Sequence, residues 1–551
     1  MEKELVTFIV GGKAGEGVKK AGSVTARMML NNGYNIFQLD DYMSLIRGGH
    51  NFSVISASKR RLNSHYMSAD LIVNFDNRSY ETHKNHLAKD GLMVYNSDEV
   101  KNMDGYGVPL STEAADYSRP QLMVGVGAVA IIAASLGIKK DELNQIIEQE
   151  YKSGVKDNIS YANRIHDIVY PEIGGRFKLT RSNKRGSILT GNQAISLGAI
   201  AAGLDVYYGY PMTPASSILH FLADQAQNFG LAVVHAESEL AVINMAIGSS
   251  YSGAKTMVGT SGGGFSLMTE GFSLAGMTEA PVLVILSMRP GPATGVPTYT
   301  EQADLNFALH AGHGDFLRIV ASPGTIEEAF YLTSELLDLV WRFQTPGILL
   351  TEKHLSESSM NVELAPTETK WAKPKMHGEG NYKRYLDTED GISPMLFPPS
   401  KELIKWNSYE HDELGITTEN PKVIQKMHDK REKKSKKLME QMKDMKTINT
   451  FGTGEQIIIT YGSTTMSVLE ALTHGNIDGT VIQPIYLRPF PDWNFEQYRD
   501  KKPIIVEMSS TGQFSNLIRE KTGMSIKADI RKYDGRPFDP IELSNKISEV
   551  M

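Results

Sequence analysis

Short apolar segments of strand length alternate with longer amphipathic segments along most of the chain, and this alternation constrains the fold more than any other feature. The segment VTFIV at residues 6–10 leads into glycines at 11–17 and then into an amphipathic stretch at 18–31. A strand, a glycine turn and a helical period in that order form the opening unit of an α/β layer. The same order returns later in the chain, so the sequence predicts an α/β fold.

The chain is long enough to form several domains, because 551 residues are more than one hydrophobic core can accommodate. We expect a first α/β domain, a second domain with a parallel sheet, a connector and a last α/β domain, at residues 1–178, 187–355, 356–450 and 451–551. Residues 170–186, rich in Gly, Arg and Lys, predict a linker. Residues 187–204 predict a helix that opens the second domain. The fold class is therefore multidomain α/β.

The connector lacks steady periodicity and carries one predicted helix at residues 421–445. Its basic run DKREKKSKK has no interleaved aromatic residues. A run of this kind is typical of a solvated helix face, and we prefer that interpretation to a nucleic-acid patch.

Composition excludes several classes of function. The net charge of −7 gives no general attraction for nucleic acid or an anionic membrane. No apolar run reaches transmembrane length, and we expect a cytoplasmic protein without a nucleic-acid or membrane partner. The chain has no cysteine, which excludes disulfides, thiolate catalysis and cysteine-ligated zinc or iron–sulfur sites on this chain. We predict no metal site of its own.

The first glycine loop, GGKAGEGVKKAG, is a candidate anion site. Gly12, Gly15 and Gly17 allow backbone N–H groups to approach a phosphate at a helix N-terminus, and Arg47 can add a cation. The spacing is not G-x-G-x-x-G, which weakens the alternative of a nicotinamide-binding domain. A tight turn without a ligand explains the same glycines, and both interpretations stay open.

Polar and charged residues that could bind a ligand follow several predicted strands of the second domain. Thr213 lies in the proline-bracketed turn YPMTPASS, and Arg289 and Thr294 lie in RPGPATG. Open α/β sheets bind ligands at the carboxyl ends of their strands, where an arginine can hold a carboxylate through two hydrogen bonds. The glycine turn TSGGG at 260–264 belongs to the same edge if the sheet is parallel. Glu239 begins the helix that follows the predicted strand at 232–235. The helix dipole alone would explain a carboxylate at that position.

Together these segments resemble the alpha subunit of 2-oxoacid:ferredoxin oxidoreductases along nearly the whole chain. GGKAGEGVKKAG and LIRGGHN are similar to the gamma-type domain, YPMTPASS to the family's YPITPSS, TSGGGFSLMTEG to TSGPGFSLM-x-EG, and RPGPATGVPTYTEQADL to R-x-GPSTG-x-PT-x-x-x-QxDL. The last domain resembles the transketolase C-terminal-like domain. The resemblance implies a gamma-type domain followed by the pyrimidine-binding fold of thiamine diphosphate enzymes.

The reaction implied by the resemblance is oxidative decarboxylation of a 2-oxoacid with coenzyme A to acyl-CoA and carbon dioxide, with electrons passed to ferredoxin. 2-Oxoglutarate is the favoured substrate, and pyruvate or a broad range stay open. By the same resemblance Glu239 is the catalytic residue at the aminopyrimidine ring, while Thr213, Arg289 and Thr294 bind the substrate. The expected cofactor contacts are Tyr210, Pro211, Glu239, Thr260, Ser261 and Gly262, and coenzyme A is a second candidate ligand for the Gly12–Arg47 anion site.

A partner chain is also expected. No Gly-Asp-Gly run followed by Asn, the motif that holds magnesium and the diphosphate, occurs in the sequence. A beta subunit would therefore supply Mg²⁺, diphosphate binding and the iron–sulfur cluster in a heterodimer. Met212, Ala215, Gly263 and Ser509 depart from the family pattern and leave substrate preference open. The alternatives are an indolepyruvate-type subunit and a non-catalytic assembly subunit.

Overall fold

The computed structural model describes residues 3–44, 49–101, 103–178 and 186–551. The chain divides into two compact units. The first comprises Met1–Leu189, Glu357–Glu363 and Asp539–Ile541, and the second comprises Thr190–Ser356, Leu364–Phe538 and Glu542–Met551.

The strands of the described residues are, in chain order, β1 (Leu5–Lys13), β2 (Asn35–Asp41), β3 (His50–Ser58), β4 (Ala69–Asn74), β5 (Leu87–Asn96), β6 (Tyr106–Val108), β7 (Ser187–Thr190), β8 (Val206–Gly209), β9 (Ala232–His235), β10 (Thr256–Thr260), β11 (Leu283–Met288), β12 (Ile319–Ala321), β13 (Gly347–Glu352), β14 (Ser359–Val362), β15 (Ile448–Phe451), β16 (Ile457–Ile459), β17 (Thr480–Pro484), β18 (Tyr486–Arg488), β19 (Ile504–Glu507) and β20 (Ala528–Arg531).

The α-helices of the same residues are α1 (Val18–Asn31), α2 (Asn77–His83), α3 (Leu110–Ala114), α4 (Pro120–Ser135), α5 (Lys140–Glu150), α6 (Val155–Ile173), α7 (Gly191–Ala201), α8 (Ser216–Phe229), α9 (Glu239–Tyr251), α10 (Gly262–Met277), α11 (Leu305–His310), α12 (Ile326–Phe343), α13 (Lys353–Glu357), α14 (Pro421–Met442), α15 (Thr464–Gly475), α16 (Gln513–Thr522) and α17 (Pro540–Val550).

The first unit is built on a mixed eight-stranded sheet in the order β6-β5-β4-β1-β3-β2-β14-β7. Strand β1 pairs in parallel with β4 and antiparallel with β3. Helices α1, α4 and α6 contribute most of the apolar side chains that cover the sheet. Helix α4 carries apolar residues on all sides and is almost entirely buried, as expected for such a helix.

The second unit contains two sheets. The larger has the order β18-β12-β13-β11-β10-β8-β9, and only β18 in it is antiparallel to its neighbour. Strands β10, β11 and β13 are buried along their whole length, as expected where helices cover both faces of a parallel sheet. The smaller sheet has the order β15-β17-β16-β19-β20. These sheets confirm the multidomain α/β fold class. The domain limits at 178, 187, 355 and 450 stay a prediction.

Three local predictions were wrong. The predicted helix at 187–204 begins as strand β7, and helix α7 starts at Gly191 because the Thr190 and Gln193 side chains cap its N-terminus reciprocally. The predicted linker at 170–186 starts inside α6, which runs to Ile173. The connector was predicted to carry one helix, but it also contains strand β14, which pairs with β2 in the first sheet.

The basic helix α14 is not solvated along its whole basic run. Lys430 and Lys434 are buried and donate to the two carboxylate oxygens of Glu279, each over 2.6 Å. Arg384, also buried, donates to the carbonyl of Glu279 over 2.9 Å. Although burial opposes ionisation, these cations hold the pKa of the Glu279 carboxyl well below its usual range. The prediction of a solvated face is wrong at the two lysines, because a distant carboxylate compensates their charge.

No helix among the described residues combines the length and the apolar character needed to span a membrane.

Candidate functional site

Four adjacent strands of the larger sheet in the second unit bring the predicted residues to one edge. Strands β9, β8, β10 and β11 are neighbours and run in parallel. Glu239, Thr213, Ser261 and Arg289 follow these strands in that order. The prediction that these strand ends share one edge is confirmed.

Thr213 and Arg289 are in contact. Arg289 Nη1 donates to the carbonyl oxygen of Thr213 over 2.8 Å. Within the described part of the chain the Thr213 hydroxyl makes no hydrogen bond. Tyr210 and Pro211, which precede Thr213 in the chain, are exposed. The ring centroid of Tyr210 lies 6.3 Å from that of His235. The turn thus presents one free hydroxyl beside a guanidinium group.

Glu239 is a buried carboxylate with an unused acceptor. It is 4% exposed at the first position of α9, and the Ser238 side chain caps that helix by accepting from the N–H of Ala241. Among the described residues Glu239 Oε1 has no hydrogen-bond partner. A Cβ built on Gly264 would lie 2.6 Å from this oxygen, so only glycine leaves room for it. A buried, unpaired carboxylate oxygen is costly unless a ligand donor meets it.

Ser261 provides a second unused polar atom. It lies between β10 and α10, is fully buried, and its Oγ has no partner among the described residues. Although Ser261 occupies the N-cap position of α10, its hydroxyl does not cap that helix. Thr260 before it is also fully buried. Two orphaned polar atoms, on Glu239 and Ser261, therefore lie at the ends of nearby strands.

Sequence reasoning missed Asp304, which belongs to the same edge. A Cβ built on Gly262 would lie 2.8 Å from Asp304 Cγ, so the carboxyl packs against the first residue of α10. Burial raises the pKa of Asp304 to about 6, although the charge of Arg289 opposes the shift. Burial lowers the pKa of Arg289, and Asp304 opposes that shift in turn. The segment TEQADL at 300–305 contains this aspartate, and its position shortly after Arg289 in the chain is the sequence signal that could have predicted it.

The hydrogen bond between Arg289 and Thr213 does not involve Thr294. It is exposed in the loop after Arg289, and that loop closes on itself through a hydrogen bond of 3.1 Å from the N–H of Val296 to the carbonyl of Pro290. The structure therefore shows Arg289 in contact with Thr213, and Thr294 exposed.

The glycine loop of the first unit already holds a carboxylate. The N–H of Lys13 donates to Glu16 Oε2 over 2.6 Å, and a Cβ on Gly12 would lie 2.6 Å from the same oxygen. Burial raises the pKa of Glu16. Gly15 and Gly17 adopt positive φ angles of 100° and 79°. Arg47 lies outside the described residues, and the anion site stays a prediction.

Two family models match the chain. The model described as "Pyruvate flavodoxin/ferredoxin oxidoreductase, thiamine diP-bdg" matches residues 197–430, which include the four strand ends. The model described as "Pyruvate ferredoxin/flavodoxin oxidoreductase" matches residues 7–168 of the first unit.

Named relatives extend over the full length. The chain is 31% identical to 2-oxoacid:ferredoxin oxidoreductase subunit alpha of a Sulfolobus species, over 99% of this chain and 97% of the relative. It is 39% identical to 2-oxoglutarate synthase subunit KorA of Archaeoglobus fulgidus, over 37% of this chain and 61% of the relative. A solved 2-oxoglutarate:ferredoxin oxidoreductase from Magnetococcus marinus, with 2-oxoglutarate, coenzyme A and succinyl-CoA bound, is similar with a TM-score of 0.91 at 29% identity over 100% of both chains.

Proposed function

We propose, because this chain belongs to the family of 2-oxoacid:ferredoxin oxidoreductase alpha subunits, that it contributes the pyrimidine-binding half of a thiamine diphosphate site and the 2-oxoacid contacts. The enzyme is an oxidoreductase of this family. The proposed reaction converts a 2-oxoacid and coenzyme A to acyl-CoA and carbon dioxide and passes two electrons to ferredoxin.

The observation that carries the proposal is the unused Oε1 of buried Glu239. The donor set fits an aminopyrimidine ring, because a buried carboxyl can share a proton with a ring nitrogen, and the Ser261 hydroxyl can contact the same ring. When bound, thiamine diphosphate supplies the nucleophilic carbon and the electron sink that decarboxylation requires. In this proposal the Glu239 carboxyl holds the proton that it shares with the ring nitrogen. The burial of the carboxyl keeps water away from that proton.

The substrate carboxylate is proposed to bind between the Thr213 hydroxyl and Arg289, whose Nη1 already donates to the Thr213 carbonyl. The remaining guanidinium donors can form charge-assisted hydrogen bonds to a carboxylate. Thr294 is retained as a proposed contact, since its exposed loop adjoins Arg289. We propose 2-oxoglutarate as the preferred substrate, supported by the names of the Archaeoglobus and Magnetococcus relatives.

A beta subunit is the proposed partner for Mg²⁺, the diphosphate and the iron–sulfur cluster. The chain has no cysteine to ligate a cluster. Leu240 and Met245 on α9, Leu267 on α10 and Val296 in the loop after Arg289 expose between 40% and 51% of their surface. We propose that these elements carry the surface that the beta subunit covers, because exposed apolar side chains at an interaction site are buried by the partner. Ferredoxin and a cytoplasmic location remain part of the proposal.

The contacts proposed for the cofactor are Tyr210, Pro211, Thr260 and Gly262, besides Glu239 and Ser261. For coenzyme A we retain the backbone of the glycine loop, at Gly12, Gly15 and Gly17, with Arg47.

The experiment compares Glu239, the first residue of α9, with Glu237 in the loop just before it, in the chain copurified with its partner. Glu239→Gln keeps the shape of the buried side chain but removes its ionisable proton, and we expect a loss of 2-oxoacid-dependent reduction of ferredoxin of about 100-fold or more. Glu237→Gln is the matched control, because Glu237 is exposed two residues earlier. Assays with 2-oxoglutarate, pyruvate and indolepyruvate separate the candidate substrates. A fully active Glu239→Gln complex would favour the assembly-subunit alternative.

A further inference from the structure

The turn that carries Thr213 is held through three consecutive backbone carbonyl groups. The carbonyl of Met212 accepts from two N–H groups at the start of α8, over 2.9 and 3.1 Å. The carbonyl of Thr213 accepts from Arg289 over 2.8 Å, and the carbonyl of Pro214 accepts from Asn192 Nδ2 over 2.8 Å. Each of these three carbonyls therefore has a partner, and the Thr213 hydroxyl is left for a ligand.

Asn192 belongs to a different element, helix α7, and is fully buried. Its Nδ2 donates a second hydrogen bond to Ser217 Oγ over 2.7 Å, while its Oδ1 has no partner among the described residues. The helix is fixed at this end, because Gly191 packs directly against the carbonyl of Leu355. Asn192 thus offers one amide hydrogen to the turn and the other to Ser217 at the start of α8, from a rigid support.

We infer that Asn192 is a positioning residue for the 2-oxoacid site, which holds the Pro214 carbonyl so that the Thr213 hydroxyl and Arg289 meet one carboxylate. The inference rests on the proposed function. Loss of both donated bonds leaves a buried carbonyl unpaired, and the turn must move to find another donor. Movement of about 1 Å at such a contact can cost about 100-fold in rate, and a displaced Thr213 hydroxyl also loses its hydrogen bond to the bound carboxylate. A residue that served only to stabilise the fold would change the amount of active enzyme and leave the KM values unchanged.

The test uses the chain assembled with its partner and measures KM separately for the 2-oxoacid and for coenzyme A. Asn192→Asp keeps the side-chain shape but places a carboxylate oxygen against the Pro214 carbonyl. We expect the KM for the 2-oxoacid to rise about tenfold or more, with the KM for coenzyme A unchanged. Asn192→Ser, which is smaller and uncharged, serves if the aspartate variant fails to assemble, and it should raise the same KM. Ser217→Ala is the control, because it removes one acceptor and leaves the bond to Pro214.

Two results have different meanings. A wild-type complex that neither binds a 2-oxoacid in calorimetry nor oxidises one overturns the proposed function, and this inference with it. An active wild-type complex whose Asn192→Asp and Asn192→Ser variants keep the wild-type KM and the wild-type calorimetric affinity for the 2-oxoacid overturns the positioning role alone.

Discussion

Replacement of Glu279 by glutamine should destabilise the second unit more than any exposed charge change on α14, the helix that carries its partners Lys430 and Lys434. Glu279 is 1% exposed, and the Lys430 and Lys434 side chains it binds are 0% and 3% exposed. Removal of one partner of a buried ion pair costs about 3–5 kcal/mol, because the remaining charge stays buried and uncompensated. We therefore expect a loss of this size for Glu279→Gln at pH 7.

Proton release sets a ceiling on the loss per lysine, and Glu279→Gln leaves two lysines, Lys430 and Lys434, without their carboxylate. A lysine that stays buried without a partner can lose its proton, which costs about 4.6 kcal/mol at pH 7 and about 1.9 kcal/mol at pH 9 for an unperturbed pKa near 10.4. The unfolded variant then binds more protons than the folded one, so its stability rises with pH in this range. Burial lowers the pKa of Lys434 to about 8 in the wild type as well, so wild-type stability also rises above that pH. The variant gains stability from pH 7 upward, and the loss caused by Glu279→Gln should therefore be smaller at pH 9 than at pH 7.

The assay is thermal unfolding of wild type and variants at both pH values. For a unit of roughly 350 residues, a loss of about 4 kcal/mol lowers the Tm by about 5 °C. Glu432→Gln is the control, because Glu432 and its partner Lys436 are exposed on α14 and such pairs contribute about 0.5 kcal/mol or less. A third variant, with Met at 279, 430 and 434, should recover most of the lost stability, because apolar residues of similar size can replace a buried ion pair. Equal Tm shifts for Glu279→Gln and Glu432→Gln, or a loss that does not shrink at pH 9, would refute the reasoning.

Two further predictions concern groups with shifted pKa values. Asp304, with a pKa of about 6, should be ionised at pH 7.5 and repel a substrate carboxylate that binds beside Arg289. Asp304→Asn should therefore lower the KM for the 2-oxoacid and flatten the dependence of that KM on pH between 5 and 8. An unchanged KM profile would contradict this role. Burial lowers the pKa of His83 to about 3, where it lies in a hydrogen-bonded row between His50 and His86. Because the unfolded histidine takes up its proton near pH 6.5, the first unit should lose stability as the pH falls from 6.5 to 4, and His83→Gln should show less of this loss in hydrogen exchange of the first unit.

The sequence carried enough local information to place most of the chemical groups. Glycine and proline mark the ends of strands at 207–217, 260–264 and 289–295, and they favour turns through their own backbone preferences, without help from distant residues. The family was recognisable from these motifs, and the full-length relative confirmed it. Helix and strand limits were less well defined at 187–204, since the apolar segment there fits both periods until Thr190 is seen to cap a helix.

The sequence by itself thus determined the fold class, the missing cysteines and the motifs at the strand ends, because these are properties of composition or of short windows. Only the tertiary structure decided which of these motifs meet. The order β9-β8-β10-β11 brings Glu239, Thr213, Ser261 and Arg289 to one edge, and no local pattern encodes the order of strands in a sheet. The burial of Lys430 was likewise hidden from the sequence, since its partner Glu279 lies 151 residues away and a lysine is stable in a core only where the fold delivers an opposite charge.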